Sequence, residues 1–241
     1  MRMMAFADRN RKELLRDPFS MLFGIGLPLI LLLLISFLQQ SIAVEIFKIE
    51  NFAPGIAVFS FSFISLFSGM LIANDRSSSF LTRLFASPLT PSDYIAAYSL
   101  PLLPIALVQS AVCFIAAFYF GLPATADVLL AILVLVPVAV LFIGLGLLLG
   151  CLFTDKQVGG IASILIQVAA LSSGMWFDPN AIGGVFQTIC YSLPFAHALD
   201  VTKAALAGDL PTILPHLAWV VGYTVAICAL AVSIFRKKMK G

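Results

Sequence analysis

Six long uncharged runs constrain this sequence more than any other feature. They contain no Asp, Glu, Lys or Arg and are Phe19–Leu38, Phe52–Ala73, Ala96–Phe120, Val128–Phe153, Val158–Phe177 and Pro215–Phe235. About 20 apolar residues in a helix cross the roughly 30 Å hydrocarbon core of a bilayer. The composition agrees, since 61% of the 241 residues are hydrophobic, 11% are charged and the mean hydropathy is +1.06. The sequence therefore predicts an all-α integral membrane protein with six transmembrane helices in one domain, residues 1–241, and excludes a soluble globular domain.

The basic residues near the ends of these runs predict the orientation. Six spans place both termini on one side, and of the 14 Lys and Arg only Lys48 and Lys203 then fall on the other side. Because Lys and Arg concentrate on the cytoplasmic side, we expect both tails in the cytoplasm and the chain in the inner (plasma) membrane. The net charge is only +2 and no basic patch is interleaved with aromatic residues, so we expect no nucleic-acid partner.

Residues 3–17 precede the first run and predict an amphipathic helix on the inner membrane surface. At 100° per residue, one side gathers Met3, Phe6, Ala7 and Leu14, and the other gathers Arg2, Arg9, Lys12 and Arg16. Pro18 then ends the helix. A solvated basic tail is the alternative. The first run is too long for the core of a cleavable signal peptide, so we expect it to be retained.

The loop from Asn74 to Ser92 predicts a second short amphipathic helix on the cytoplasmic side. Its apolar stripe consists of Phe80, Leu81, Leu84 and Phe85, and Pro88 ends it. Such a stripe needs an apolar cover, which either the membrane surface or a partner protein would supply. Thr90 then predicts the N-cap of the third spanning helix, with Pro91 at its first position and Asp93 completing a capping box.

Residues 181–193 are apolar but too short to cross the membrane. They lie in the longest outer loop, Asp178–Leu214, and are bracketed by Gly183-Gly184 and Pro194. This pattern predicts a re-entrant or interfacial segment before the last helix, because neighbouring protein must satisfy its backbone groups.

The sequence gives little indication of a catalytic site or a metal site. No G-x-x-x-x-G-K-[ST] motif is present, and Gly146-x-x-x-Gly150 favours close helix packing. The four cysteines are scattered and no cluster has metal-ligand spacing, so we expect neither a disulfide framework nor a metal site. An intramembrane protease would need Ser172 or Ser173 to pair with His197 or His216. The simpler interpretation is that the histidines bond to water or backbone and the serines bond between helices.

A substrate pathway could be lined by two of the spans. Phe59, Phe63, Phe67 and Met70 share a face of the second run, and Ser163 and Gln167 share a face of the fifth. An aromatic face and a weakly polar face suit an amphipathic, largely apolar substrate, although such faces more often only pack. The absence of ionisable residues inside the runs disfavours a proton relay through this chain.

Two segments resemble the type-2 permeases of ATP-binding cassette (ABC) exporters. Residues 74–90, NDRSSSFLTRLFASPLT, are similar to the family's cytoplasmic segment, in which an acidic residue and Arg precede Leu-x-x-Leu and Ser-Pro-Leu. Residues 174–179, GMWFDP, and 191–195, YSLPF, are similar to the stretch that follows the fifth span in that family. Six spans, an amphipathic first helix and cytoplasmic tails fit the resemblance along the whole chain.

The resemblance implies a permease subunit that dimerises, as a homodimer or with a related permease, and binds two separate ATP-binding subunits. Phe80–Ala86 would form the coupling helix that docks on the ATPase, with Asp75 and Arg76 near its base. Arg9, Lys12 and Arg16 would belong to the connecting helix. ATP and Mg would be bound by the partner, so this chain itself would be no enzyme and hold no cofactor. We therefore expect a subunit of an ATP-driven exporter. Its substrate would be lipophilic, such as a drug (multidrug efflux), an antibiotic or a lipid-linked molecule. The alternative is an ATP-independent channel or secondary carrier.

Overall fold

The computed structural model describes residues 2–18, 22–41, 48–78, 80–81 and 89–240. Every regular element within these ranges is helical. In chain order they are α1 (Arg2–Arg16), a π-helix (Leu22–Gly26), α2 (Leu27–Ser41), α3 (Ile49–Ser77), α4 (Pro91–Ser99), α5 (Leu102–Tyr119), α6 (Asp127–Leu152), α7 (Asp155–Ser172), α8 (Pro179–Ile182), α9 (Gly184–Ser192), α10 (Pro194–Leu206) and α11 (Leu210–Lys240). The predicted all-α class is confirmed.

Five stretches of the described chain are long and apolar enough to cross a bilayer. They are Leu22–Gln39, Ile49–Ser77, Pro91–Tyr119, Asp127–Leu152 and Leu210–Lys237. These correspond to five of the six predicted spans, which confirms a polytopic membrane protein. The predicted fifth span corresponds to α7, which has 18 residues and begins with Asp155, Lys156 and Gln157. Those polar residues lower its average hydropathy, so α7 is not among the five and the count of six stays a prediction.

Several helix boundaries differ from the expected ones for local reasons. Helix α3 begins at Ile49 and continues to Ser77, so Asp75 and Arg76 lie in its last turn and not in a loop. Helix α7 ends at Ser172 instead of Phe177, and Gly174 follows with φ +88°, a left-handed conformation that glycine favours. Thr90 caps α4 through the predicted capping box with Asp93, and a break at Leu100 and Pro101 separates α4 from α5.

Helices α3 and α6 form the centre of the bundle and approach each other closely at glycines. A Cβ atom built on Gly146 would lie 2.0 Å from the backbone oxygen of Ser65, and one built on Gly150 would lie 2.1 Å from Cγ2 of Ile72. Any larger side chain would therefore push the two helices apart. The predicted role of Gly146-x-x-x-Gly150 in close helix packing is confirmed.

The buried serines of α3 do not form an open polar track. The hydroxyl groups of Ser60, Ser62, Ser65 and Ser68 each donate a hydrogen bond to the backbone oxygen three residues earlier, at 2.6–3.0 Å. Ser68 also lies 3.3 Å from the backbone oxygen of Ile143 on α6. These hydroxyls are thus satisfied within the protein, as burial in an apolar bundle requires.

Two ends of the bundle can be distinguished by their contacts. At one end, α1 and α4 meet the C-terminal ends of α3, α6 and α11, and we call this the basic end. The contacts there include Phe6–Tyr94, Tyr94–Phe235 and Arg76–Phe153. At the opposite end lie α8, α9, α10 and the start of α3, where Phe52 contacts Trp176 at 5.7 Å between ring centroids.

Candidate functional site

Helix α1 packs its apolar side on the basic end of the bundle. Phe6, Ala7 and Leu14 are buried, and Met3 packs against the same core. The ring of Phe6 meets that of Tyr98 edge to face at 5.0 Å. The predicted amphipathic helix is therefore present, but the cover of its apolar side is α4 and neighbouring residues of the same chain.

Asp75 in the last turn of α3 is the centre of a polar cluster at this end. Its carboxylate accepts two hydrogen bonds from the guanidinium group of Arg9, at 2.6 and 2.7 Å, and a third from the hydroxyl group of Tyr98 at 2.8 Å. Asp75 is only 1% exposed. A buried carboxylate is tolerated when it is paired and hydrogen-bonded in this way, and a two-pronged Arg contact fixes geometry as well as charge. Arg9, Asp75 and Tyr98, which we call the Asp75 cluster, thus join α1, α3 and α4.

Arg9 makes further contacts that hold α1 in place. Its guanidinium group lies 2.7 Å from the carboxylate of Glu13 and 4.4 Å from the centre of the Phe80 ring. The neighbouring Asn10 is fully buried and donates a hydrogen bond to the backbone oxygen of Ala97 on α4 at 3.2 Å. Burial raises the pKa of Glu13 above its ordinary value, and the charge of Asp75 adds to this while Arg9 opposes it. Arg9 therefore balances two carboxylates on two different helices.

Arg76 has a separate role from its neighbour Asp75. One of its guanidinium nitrogens donates to the backbone oxygens of Gly150, Cys151 and Phe153, at 2.6, 2.8 and 3.1 Å. These carbonyl groups lie at the C-terminal end of α6. The last carbonyls of a helix have no partner within it, and a cation there is favoured. Asp75 and Arg76 together connect the end of α3 to α1, α4 and α6.

The segment predicted to dock on an ATPase begins immediately after this cluster. Leu81 is 2% exposed within the core, and Phe80 is partly buried, with its ring 6.2 Å from that of Phe6. For these two residues the apolar cover is the chain itself, which differs from the expected cover by membrane or partner. Leu84 and Phe85 lie outside the described residues, so the predicted helix Phe80–Ala86 is described only at its first two positions.

The other predicted residues of the connecting helix lie apart from the Asp75 cluster. Lys12 is exposed and pairs with Asp8 on the same helix, at 2.7 Å. Arg16 is exposed in the last turn of α1. Of the three predicted basic residues, only Arg9 reaches another helix in the described contacts.

The predicted pathway residues lie on two neighbouring helices. On α3, Phe63 is buried and contacts the half-buried Phe59 edge to face at 5.5 Å, and Phe67 lines a cavity of about 400 Å³ that also borders Met70. On α7, Ser163 and Gln167 are exposed, and the hydroxyl group of Ser163 donates to the backbone oxygen of Gly159 at 2.9 Å. The aromatic face is thus partly packed within the chain, whereas the polar face of α7 points outward from it.

The serine and histidine residues of the protease alternative are not paired in the described structure. The hydroxyls of Ser172 and Ser173 bond to backbone oxygens of Val168 and Ala170 in their own segment. His197 and His216 bond to each other, and His197 also bonds to the backbone of Tyr191. This arrangement offers no serine activated by a histidine.

Sequence reasoning missed Tyr98, Asn10 and Glu13, which complete the surroundings of Arg9 and Asp75. A charged residue at the end of an apolar helix does indicate that a partner is needed, because a buried charge is costly when unpaired. Nothing local identifies that partner, since 66 positions separate Arg9 from Asp75.

The fold and the contacts at its basic end define the class of this protein: a polytopic helical membrane protein whose N-terminal helix is tied to the end of its second candidate span. The family model described as ABC-2 type transporter matches residues 1–206, so the chain belongs to that family. Membership makes it a transmembrane permease component and implies a partner that carries an ATP-binding cassette. A comparison with curated proteins finds no match.

Proposed function

We propose that this chain is the membrane-spanning permease subunit of an ATP-driven ABC exporter. It would move a lipophilic substrate, such as a drug, an antibiotic or a lipid-linked molecule, out of the cytoplasm by alternating access. ATP and Mg would be bound and hydrolysed on a separate subunit. Two permease chains, identical or related, would form the pathway in the inner (plasma) membrane.

The observation that carries the proposal is the placement of the Asp75 cluster. It joins α1, α3 and α4 directly before Phe80, where the predicted docking segment begins. A push on that segment by a closing ATPase would act on the end of α3 and, through Arg9 and Arg76, on α1 and α6 as well. Such a rigid junction transmits displacement better than a free loop, because packed elements respond as units.

The course of α7 supports a sixth crossing. The chain enters α7 beside Phe153, whose backbone oxygen accepts a hydrogen bond from Arg76 at the end of α3. Just past the end of α7, Met175 lies against Gly55 near the start of α3. Helix α7 with the residues that follow it therefore runs antiparallel to α3, which is itself a candidate span. Six crossings would place both termini on one side, which the basic residues predict to be the cytoplasm.

The substrate pathway would lie between α3 and α7, near Phe59, Phe63, Phe67, Ser163 and Gln167. The outward-facing Ser163 and Gln167 provide hydrogen-bonding groups, and the aromatic residues provide an apolar surface. A site of this kind suits a ligand that is mostly apolar with a few polar groups.

The docking assignment is tested by replacing Leu84 and Phe85 with Asp. We expect the double variant to remain folded in detergent but to lose co-purification with its ATPase subunit, since two charges would replace the apolar contact. Met4→Asp is the matched control, because Met4 is 56% exposed on α1 and outside the docking segment. If the double variant assembles and transports like the control, the docking segment is elsewhere.

A further inference from the structure

The two histidines of the chain meet at the opposite end of the bundle. Nδ1 of His197 on α10 lies 2.7 Å from Nδ1 of His216 on α11. Nε2 of His197 lies 3.0 Å from the backbone oxygen of Tyr191, at the end of α9. His197 is only 6% exposed, and the ring of Trp219 stacks on it at 5.1 Å. One imidazole therefore connects three helices.

The hydrogen bonds fix where the protons lie on the two rings. A carbonyl oxygen only accepts, so Nε2 of His197 must carry a hydrogen and donate it to Tyr191. In neutral His197 the other nitrogen, Nδ1, is then an acceptor. Its contact with His216 requires a hydrogen on Nδ1 of His216, which leaves Nε2 of His216 as a free acceptor. No described residue bonds to that nitrogen, and His216 is partly exposed, so water can protonate it.

The pair can hold one added proton but not two. The first proton binds Nε2 of His216, and the charged ring then donates a stronger hydrogen bond to His197. A second proton would have to bind Nδ1 of His197. Two N–H groups would then face each other across 2.7 Å, and two like charges would lie side by side. The contact between α10 and α11 must break in that state.

Few other charged groups among the described residues act on His197. Burial lowers its pKa below the ordinary value, and the charge of His216 does the same, whereas the Tyr191 hydrogen bond and Asp200 on α10 raise it. From α9, the Tyr191 ring contacts it at 5.5 Å. On α10 itself, Lys203 lies beyond Asp200 and lines a cavity with Glu50, from the start of α3.

Two further carboxylates at this end already accept local hydrogen bonds: Asp209, directly before α11, from the hydroxyl group of Thr212, and Asp178, directly before α8, from the backbone of Asn180. The remaining charges of the helices packed against α10 lie towards the ends of those helices. The charged residue of α6, Asp127, lies beside Gly208 beyond the end of α10. The other charged residues of α3, α7 and α11 are at the basic end. The charged groups that act on His197 are therefore His216 and Asp200.

We propose that His197 and His216 form a proton-binding site that latches α9 and α10 to α11 as long as it holds no more than one added proton. The site is independent of the proposed coupling to an ATPase. In the orientation that the basic residues predict, it faces outward, so an acidic exterior would release the latch. The neighbouring bond from the hydroxyl group of Tyr223 to the backbone oxygen of Ser192 also holds the end of α9 and involves neither histidine.

The tautomers are tested by nuclear magnetic resonance of the full chain with ¹⁵N-labelled histidine in lipid nanodiscs. At about pH 7.5, above the ordinary histidine pKa of about 6.5, we expect hydrogen on Nε2 alone in His197 and on Nδ1 alone in His216. On acidification the pair should take up protons in two separate steps, because strongly interacting sites do not titrate independently. Two independent titrations near pH 6.5 with mixed tautomers would overturn the proposal.

The latch is tested by backbone hydrogen exchange of α10 and α9, compared between variants at the same pH so that intrinsic rates cancel. At about pH 7, α10 should exchange about two- to tenfold faster in His216→Phe than in wild type, the range that one hydrogen bond provides. At a pH below the second protonation step found by nuclear magnetic resonance, that difference should vanish. Tyr223→Phe removes a bond to the end of α9 that involves no imidazole, so α9 should exchange faster in this variant by a similar factor at both pH values. Equal exchange of wild type and His216→Phe at about pH 7 would refute the latch even if the tautomers were as expected.

Discussion

At the scale of single residues, Asp75 is the side chain on which the attachment of α1 to the bundle depends. Within the described part of the chain it is the only buried side chain among the Asp, Glu, Lys and Arg residues. Its partner Arg9 is 36% exposed, so the pair is neither a surface ion pair of small effect nor a fully desolvated one. The contribution of this pair to the free energy of unfolding should lie between these limits. The pair also specifies where α1 docks.

Replacing Asp75 with Ala should therefore lower the free energy of unfolding by about 2 to 3 kcal/mol. Loss of one partner of a fully buried pair costs about 3–5 kcal/mol, and here Arg9 can regain some hydration. Arg11→Ala is the control, since Arg11 pairs at the surface with Asp8 and with no other residue that the structure describes, and it should change stability by less than about 0.5 kcal/mol. Denaturant titration in detergent, followed by circular dichroism, measures both. Equal stabilities of the two variants would show that the Asp75 cluster does not anchor α1.

At the scale of elements, the contact between α3 and α6 determines how tightly the bundle packs. The two helices approach at Gly146 and Gly150 with no space for a methyl group. A membrane bundle gains little from hydrophobic burial between helices, so close van der Waals contact of this kind stabilises it.

Gly146→Ala should destabilise the chain by about 1–3 kcal/mol, because the added methyl group overlaps the Ser65 backbone. Gly222→Ala in α11 is the matched control, since nothing lies within 4 Å of its added Cβ. Replacing a glycine inside a helix with Ala at an open position gains about 0.5–1 kcal/mol. Thermal unfolding in detergent should thus shift in opposite directions for the two variants, and shifts of the same sign would contradict the close contact.

Local patterns predicted most of the elements, and long-range contacts account for what they missed. The apolar side of α1 and the Thr90 capping box depend on residues close in sequence, so both were recognisable. The Arg9–Asp75 pair and the His197–His216 pair depend on how the helices assemble. The cover of Phe80 and Leu81 by the chain's own core was missed for the same reason. Helix α7 was recognised as apolar, but its polar first turn and the turn at Gly174 moved its boundaries.

At the scale of the whole molecule, the number of crossings determines the relation between the termini. Five crossings place the N- and C-termini on opposite sides of the membrane, whereas a sixth crossing by α7 places them on the same side. We expect a fluorescent protein fused to either terminus to fold in the cytoplasm, and a tag inserted at Gly183-Gly184 to be reached from outside. Termini on opposite sides of the membrane would show that α7 does not cross.

The central claim, that this permease acts with a separate ATPase, is tested most directly by purification from the native host in mild detergent. We predict that a subunit with a phosphate-binding G-x-x-x-x-G-K-[ST] motif co-purifies and that the complex hydrolyses ATP. The double replacement of Leu84 and Phe85 with Asp should abolish both, while Met4→Asp should leave both unchanged. Repeated recovery of this chain alone, without a nucleotide-binding partner, would contradict the claim and favour an ATP-independent channel or carrier.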